Sequence, residues 1–182
     1  MSEPFVEHNS FRFGNIDMWE NWSLRILKVT DFLKPRLRSR KVLLPLRNGE
    51  YDYGAKYYNE RTVTLQCVRM TDISRHEQRD LAYILSKKSE LRIYDDPEKY
   101  YLGRIYTEPA LSPIRNGGLQ VTLEFICEPF AYGEVVSEDF INGKYTPDYK
   151  GTAPTPTYIV IENTGRGNAT NLQIVQSIRR EN

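Results

Sequence analysis

The chain is short of the side chains that do chemistry. Its 182 residues include two cysteines, two histidines and three methionines. Cys67 and Cys127 stand alone in apolar runs, where a free thiol behaves as a small hydrophobe. With only His8 and His76 beside them they match no zinc spacing. No metal and no cofactor is therefore expected. Charge of one sign is also missing: 25 Lys and Arg against 24 Asp and Glu leave a net charge of +1. No overall field then argues for a membrane surface or for sequence-specific nucleic acid. No apolar run approaches the roughly 20 residues of a membrane-spanning helix. The first fifteen residues lack the apolar core of a secretion signal, so folding in a cytoplasm is expected. The two glycosylation-like triplets, at Asn21 and Asn168, are read as chance matches. There is no phosphate loop and no nucleophile elbow. The paired carboxylates Asp95 with Asp96 and Glu138 with Asp139 are neighbours in turn-like segments. A glycosidase needs its two across a cleft. An enzyme is not expected.

What the chain does have is strands. Residues 61–68 alternate, with Val63, Leu65 and Cys67 on one face and Thr62, Thr64 and Gln66 on the other, which is the pattern of a half-buried strand. Residues 119–127 alternate more cleanly still and stop at Glu128-Pro129. Phe11-Arg12-Phe13 and residues 24–29 read as further strands. One helix is well signed. Ser74 and Glu77 form a capping box in which each side chain satisfies a backbone N–H of the first turn. Leu81, Ile84 and Leu85 give that helix one narrow apolar stripe, and it is expected to end near Lys87 and Lys88. Residues 91–109 read as strand, tight turn, strand, because Asp95, Asp96 and Pro97 supply turn chemistry. Residues 142–156 are rich in Gly, Pro and Thr and read as a linker. Residues 158–161 and 172–175 read as a final pair of strands. The fold class is mainly β: an antiparallel β-sandwich with one α-helix and a protruding hairpin. Residues 1–150 form the main domain. Residues 151–182 form a linker and the start of a truncated or minimal second β domain.

Two surface features stand out. Lys34, Arg36, Arg38 and Arg40 alternate, and in an extended chain they project from one side. Such a row can meet a polyanion or blunt an exposed strand edge. With no aromatic residues interleaved and net charge near zero, an edge or a protein contact is favoured. The other feature is tyrosine, 13 of them, with the doublets Tyr57-Tyr58 and Tyr100-Tyr101. Consecutive strand residues face opposite ways, so a doublet that buries one ring exposes the other. Tyrosine suits surfaces that are wet part of the time, and an oligomer or docking surface follows.

Four pieces, in order, carry a family resemblance. The turn Leu46-Arg47-Asn48-Gly49 precedes Tyr51-Asp52-Tyr53-Gly54. The strand over 58–68 runs into the single helix. Residues 91–109 pair strands through an acidic, Pro-containing turn with a Tyr-Tyr pair. The alternating strand 119–129 ends in Cys-x-Pro. Together they resemble the distal tail protein (Dit) family of long-tailed bacteriophages and prophages. The resemblance spans residues 11 to about 130. It implies a virion tail protein whose β-sandwich forms a hexameric ring, the hub that joins the tail tube protein to the tail tip or baseplate protein. An outer carbohydrate-binding-like domain usually follows in that family, and this chain has only its first hairpin's worth. A carbohydrate- or receptor-binding module at the tail tip is the alternative function. Expected subunit-contact residues are Tyr100 and Tyr101, on an arm or wall formed by the 91–109 hairpin, together with Tyr57, Tyr58, Arg36, Arg38 and Arg40. The arginines are expected to face a neighbouring subunit or partner ring and not the pore.

Overall fold

The computed structural model describes residues 3–46, 48–54, 57–114, 117–137, 139, 151–153, 155, 158–163, 165 and 167–168. The chain divides into two compact units, residues 1–141 and 142–182. In the second unit the described residues carry no helix or strand. Residues 158–161, expected as a strand, are unpaired and exposed, and residues 172–175 lie outside the described residues.

The first unit is mainly β, and all of its strand pairs are antiparallel among the described residues. In chain order the strands are β1 (Phe11–Phe13), β2 (Ile16–Asp17), β3 (Arg25–Thr30), β4 (Lys41–Leu43), β5 (Glu50–Asp52), β6 (Arg61–Arg69), β7 (Ser89–Ile93), β8 (Tyr101–Ile105), β9 (Ala110–Ile114) and β10 (Gly118–Cys127). The main sheet runs β2-β1-β7-β8-β10-β6-β3, with β9 also on β10, and β4 pairs β5 separately. Strand β10 is long enough to hold two neighbours on one edge. Its residues 118–122 pair β9, and its residues 125–127 pair β8.

That shared edge lets the sheet fold over. In a flat sheet β1 lies three strand spacings from β10, about 14 Å. Yet the Phe13 and Phe125 rings are 5.3 Å apart, and those of Phe11 and Phe125 6.0 Å. A second tie closes the far side. The Ile26 N–H donates to the Asn9 carbonyl at 2.7 Å, and the Ser10 hydroxyl donates to the Leu24 carbonyl at 2.6 Å. Ser10 is the one fully buried polar residue among those described, and this bond satisfies its hydroxyl. Between the two layers lie Phe11, Phe13, Met18, Leu65, Leu91, Leu123 and Phe125, all fully buried. Buried aromatic and aliphatic side chains of this size dominate the energetics of such a core.

The signed helix is present as α3 (Arg75–Leu85), with both capping-box bonds formed and Leu81 and Leu85 buried. It ends slightly before the two lysines. Two short helices accompany it where one helix was expected: α1 (Pro4–Glu7) and α2 (Met18–Trp22). Both hang on Asp17, whose carboxylate accepts from the backbone N–H groups of Phe5, Trp19 and Glu20. Cys67 sits across from Val121, whereas Cys127 sits across from Arg61. Six residues along a strand is about 20 Å, so the two buried thiols cannot pair, and both are free.

The 91–109 hairpin was expected to form an arm or wall of the ring; its strands lie inside the sheet, β7 between β1 and β8, and β8 between β7 and β10. The short apolar stretches Leu91 with Ile93 and Tyr101 with Ile105 face or border the core, and that burial draws both strands in. The element that stands clear is the connection between β3 and β6.

Candidate functional site

Strands β3 and β6 are adjacent and antiparallel, so residues 31–60 form their connection. A two-residue turn would suffice there. The sequence instead folds a second, irregular hairpin. Its ladder runs Leu43 to Glu50, Val42 to Tyr51 and Lys41 to Asp52. The Tyr53 N–H donates to the Arg40 carbonyl at 3.0 Å, which carries the register one residue further. Pairing resumes at the root, where Leu37 bridges Tyr58, with reciprocal backbone bonds from Arg38 to Tyr57 and from Asn59 to Arg36. At the tip, Gly49 takes a φ of 83°, the conformation that Asn-Gly turns use.

Almost nothing in this arm is buried. Of its described residues, Pro35 alone is buried. Phe32, Leu33, Leu43, Leu46, Tyr53 and Tyr57 are each more than half exposed. Scattered exposed apolar side chains are ordinary, but a run of them on one projecting element marks an interaction surface.

The ladder places side chains in rows. Arg36, Arg38 and Arg40 share one face by the two-residue period, and all three are exposed. Tyr57 lies across from Arg38, Tyr53 across from Arg40, and Tyr51 across from Val42. Tyr51 and Tyr53 meet edge to face at 5.0 Å. The arginine row is flanked by tyrosines across the ladder. Sequence order hides that, because the tyrosines follow the arginines by about fifteen residues. Leu37 and Tyr58 project the other way, and Tyr58 packs edge to face on Phe130 at 5.0 Å.

The root is clamped. Arg61, the first residue of β6, meets Asp31 at 3.2 Å and donates to the Tyr101 hydroxyl at 2.9 Å. Its guanidinium also lies over the Tyr101 ring, 5.4 Å from the centroid. Burial, and then the Asp31 carboxylate, push the Tyr101 phenol above its ordinary value. Tyr101 is thus engaged within the chain. Tyr100 is too: it exchanges backbone bonds with Tyr132 at 2.9 and 2.8 Å and stacks on that ring at 5.6 Å. The Tyr132 hydroxyl donates to Glu128, which also pairs Lys88. The Glu128 bond pushes the Tyr132 phenol up to about 12, and Lys88 holds Glu128 below the usual carboxylate range. The 91–109 hairpin thus holds Tyr100 and Tyr101 close, while Tyr106 is exposed. The hairpin leaves its turn free, and there Asp95, Asp96 and Glu98 are all exposed.

The fold has a counterpart among solved structures. The chain has a Dit-like fold. The SPP1 Dit protein, described as a paradigm of the hub adsorption apparatus in phages that infect Gram-positive bacteria, superposes with a TM-score of 0.55 at 18% sequence identity. The likeness covers 68% of this chain and 51% of that protein, so the chain matches about half the length of its Dit neighbour. No family model matches the sequence, and no curated protein matches it.

No three His, Cys, Asp or Glu side chains among the described residues gather to hold a metal ion. The hollows are open and shallow; one, lined by Arg38, Tyr58, Asn59 and Pro129, sits at the arm's root. Burial pushes both thiols up to about 12, far from a reactive thiolate. Among the described residues no helix is long and apolar enough to cross a membrane.

Proposed function

We propose that the chain is a structural component of a bacteriophage or prophage tail, located in the virion, where it forms a hexameric ring hub. The ring joins the tail tube protein to the tail tip or baseplate protein. The Dit-like fold carries this reading, because a hub role is what is stated of the SPP1 protein. The projecting arm supports it physically. A ring built head to tail needs two different complementary patches on each subunit, and an exposed hairpin with unsatisfied apolar and charged faces is a natural donor of one of them.

The test is the mass of the purified chain by light scattering, with electron microscopy of the same sample. Six-fold rings are the expected result. Rings of another order overturn the hexamer. Binding of a glycan by a monomeric chain moves the function to a carbohydrate- or receptor-binding module.

A further inference from the structure

The arm's arginine face has no partner of its own. Arg36 and Arg40 make no side-chain hydrogen bond or ion pair among the described residues, and Arg38 reaches only the Asn59 side-chain oxygen, at 3.3 Å. A cluster of the opposite sign lies on the β7–β8 turn. Asp95, Asp96 and Glu98 crowd three carboxylates into four residues at the tip of the β7–β8 turn, and none of them forms an ion pair among the described residues. Arg92 donates to the Pro97 carbonyl within that turn, but its ion pair is with Glu90 and not with the three carboxylates.

We propose that Arg36, Arg38 and Arg40 of one copy seat on the Asp95, Asp96 and Glu98 turn of a second copy. This rests on the ring reading above and names a contact that closes it. Charge complementarity selects the occupant. The arginine row and the acidic turn are both exposed, carry opposite charge and lie on separate elements. Docking copy on copy neutralises both sets and needs no further partner. The patches differ from each other, so the contact is heterologous and propagates from copy to copy until it closes.

The fold puts both patches within reach. Arg61 at the arm's root lies across from Cys127, and Gly103 of β8 lies across from the same Cys127 on its other side. Arm and turn therefore leave the same end of the sheet, two strands apart. The row from Arg36 to Arg40 spans four residues of extended chain, about 14 Å. The guanidinium groups on long stems converge on a turn whose first and last Cα atoms lie within about 7 Å. Tyr53 and Tyr57 flank the row and add apolar area. An arginine row beside tyrosines also suits a single-stranded nucleic acid, and the experiment separates the two.

Two triple variants are made, R36E/R38E/R40E and D95K/D96K/E98K, and sedimented alone and mixed. The parent chain is expected to assemble, and each variant to remain a monomer with the parent's circular dichroism. An equimolar mixture is expected to regain the parent mass with both chains in equal number. In an alternating ring each reversed arm meets a reversed turn, and each native arm meets a native turn. The milder pair R38E and E98K reports the same rescue if a triple variant fails to fold. Variants that assemble alone like the parent overturn this contact and leave the ring reading standing. A mixture of folded variants that stays monomeric also overturns it. A parent that is monomeric at all concentrations removes the ring reading, and this contact with it. Tight binding of a poly-dT oligonucleotide, lost in R36E/R38E/R40E while assembly persists, assigns the face to nucleic acid and overturns the proposal.

Discussion

Gly103 sits where β8 meets both β7 and β10, with Ser89 on one side and Cys127 on the other. A Cβ added there would lie 2.5 Å from the Cys127 sulfur and 3.3 Å from the Ile126 carbonyl oxygen. The sulfur must move, and it is buried in packed core. Gly103→Ala is therefore an overpacking substitution, which typically costs about 1–3 kcal/mol. Cys127→Ala is the converse. It deletes one buried heavy atom, a loss of roughly 1 kcal/mol by analogy with removing a single methyl group. Together the two changes relieve each other, since the new methyl group enters the space that the sulfur leaves. The glycine's lost chain entropy returns about 0.4–1 kcal/mol as well. The double variant is expected within about 1 kcal/mol of the parent, where simple addition gives a loss of roughly 2–4 kcal/mol. Urea unfolding followed by tryptophan fluorescence reads this as midpoints at unchanged slope. The coupling energy expected is about 1–3 kcal/mol, well above the few tenths that unrelated sites show. An additive cycle would mean that glycine stands at 103 for another reason.

Three further expectations follow from described contacts. Glu77 accepts from the Ser74 backbone N–H and also meets Arg69, and these bonds lower its carboxyl from the ordinary 4.5 to about 2. A depressed folded value contributes stability above the unfolded value and loses it as pH falls toward the folded one. Acid unfolding of the parent should thus steepen between about pH 4.5 and 2, and Glu77→Gln should flatten that limb. Arg61→Met removes the clamp on Asp31 and Tyr101, so limited proteolysis within residues 31–60 should speed several-fold while the unfolding midpoint moves little. An unchanged cleavage rate would show that the clamp does not hold the arm. Cys67 and Cys127, both near 12 by burial, should resist Ellman's reagent at pH 8 until the chain is denatured. Rapid labelling of the native protein would contradict their burial.

Local signals in the sequence told the truth about local structure. The alternation over 61–68 and 119–127 became β6 and β10, and Ser74 with Glu77 became a complete capping box. The helix pair around Asp17 was missed, although Asp17 followed three residues later by Glu20 is the same type of signal. What periodicity could not supply was pairing at a distance. Tyr100 and Tyr101 look like free aromatic residues until Tyr132 and Arg61, 32 and 40 residues away, come to meet them. The alternating arginines were visible, but their tyrosine neighbours come from the opposite strand of a ladder interrupted between Tyr53 and Tyr57. A projecting hairpin was legible as a category, but which segment forms it was not. An acidic turn with aromatic flanks reads the same whether its strands end at an edge or lie in mid-sheet.

Thr30 and Arg61 belong to neighbouring strands, so everything between them is a detour in the chain and no strand is threaded through it. Doubling the length of such a connection costs only about 0.6 kcal/mol in closure entropy. The arm is consequently a replaceable part. Lengthening, shortening or exchanging it leaves the sheet, its core and its register intact. Related chains can therefore differ widely between these two positions while keeping one scaffold, and sequence comparison that weights this stretch equally with the sheet will undercount their kinship.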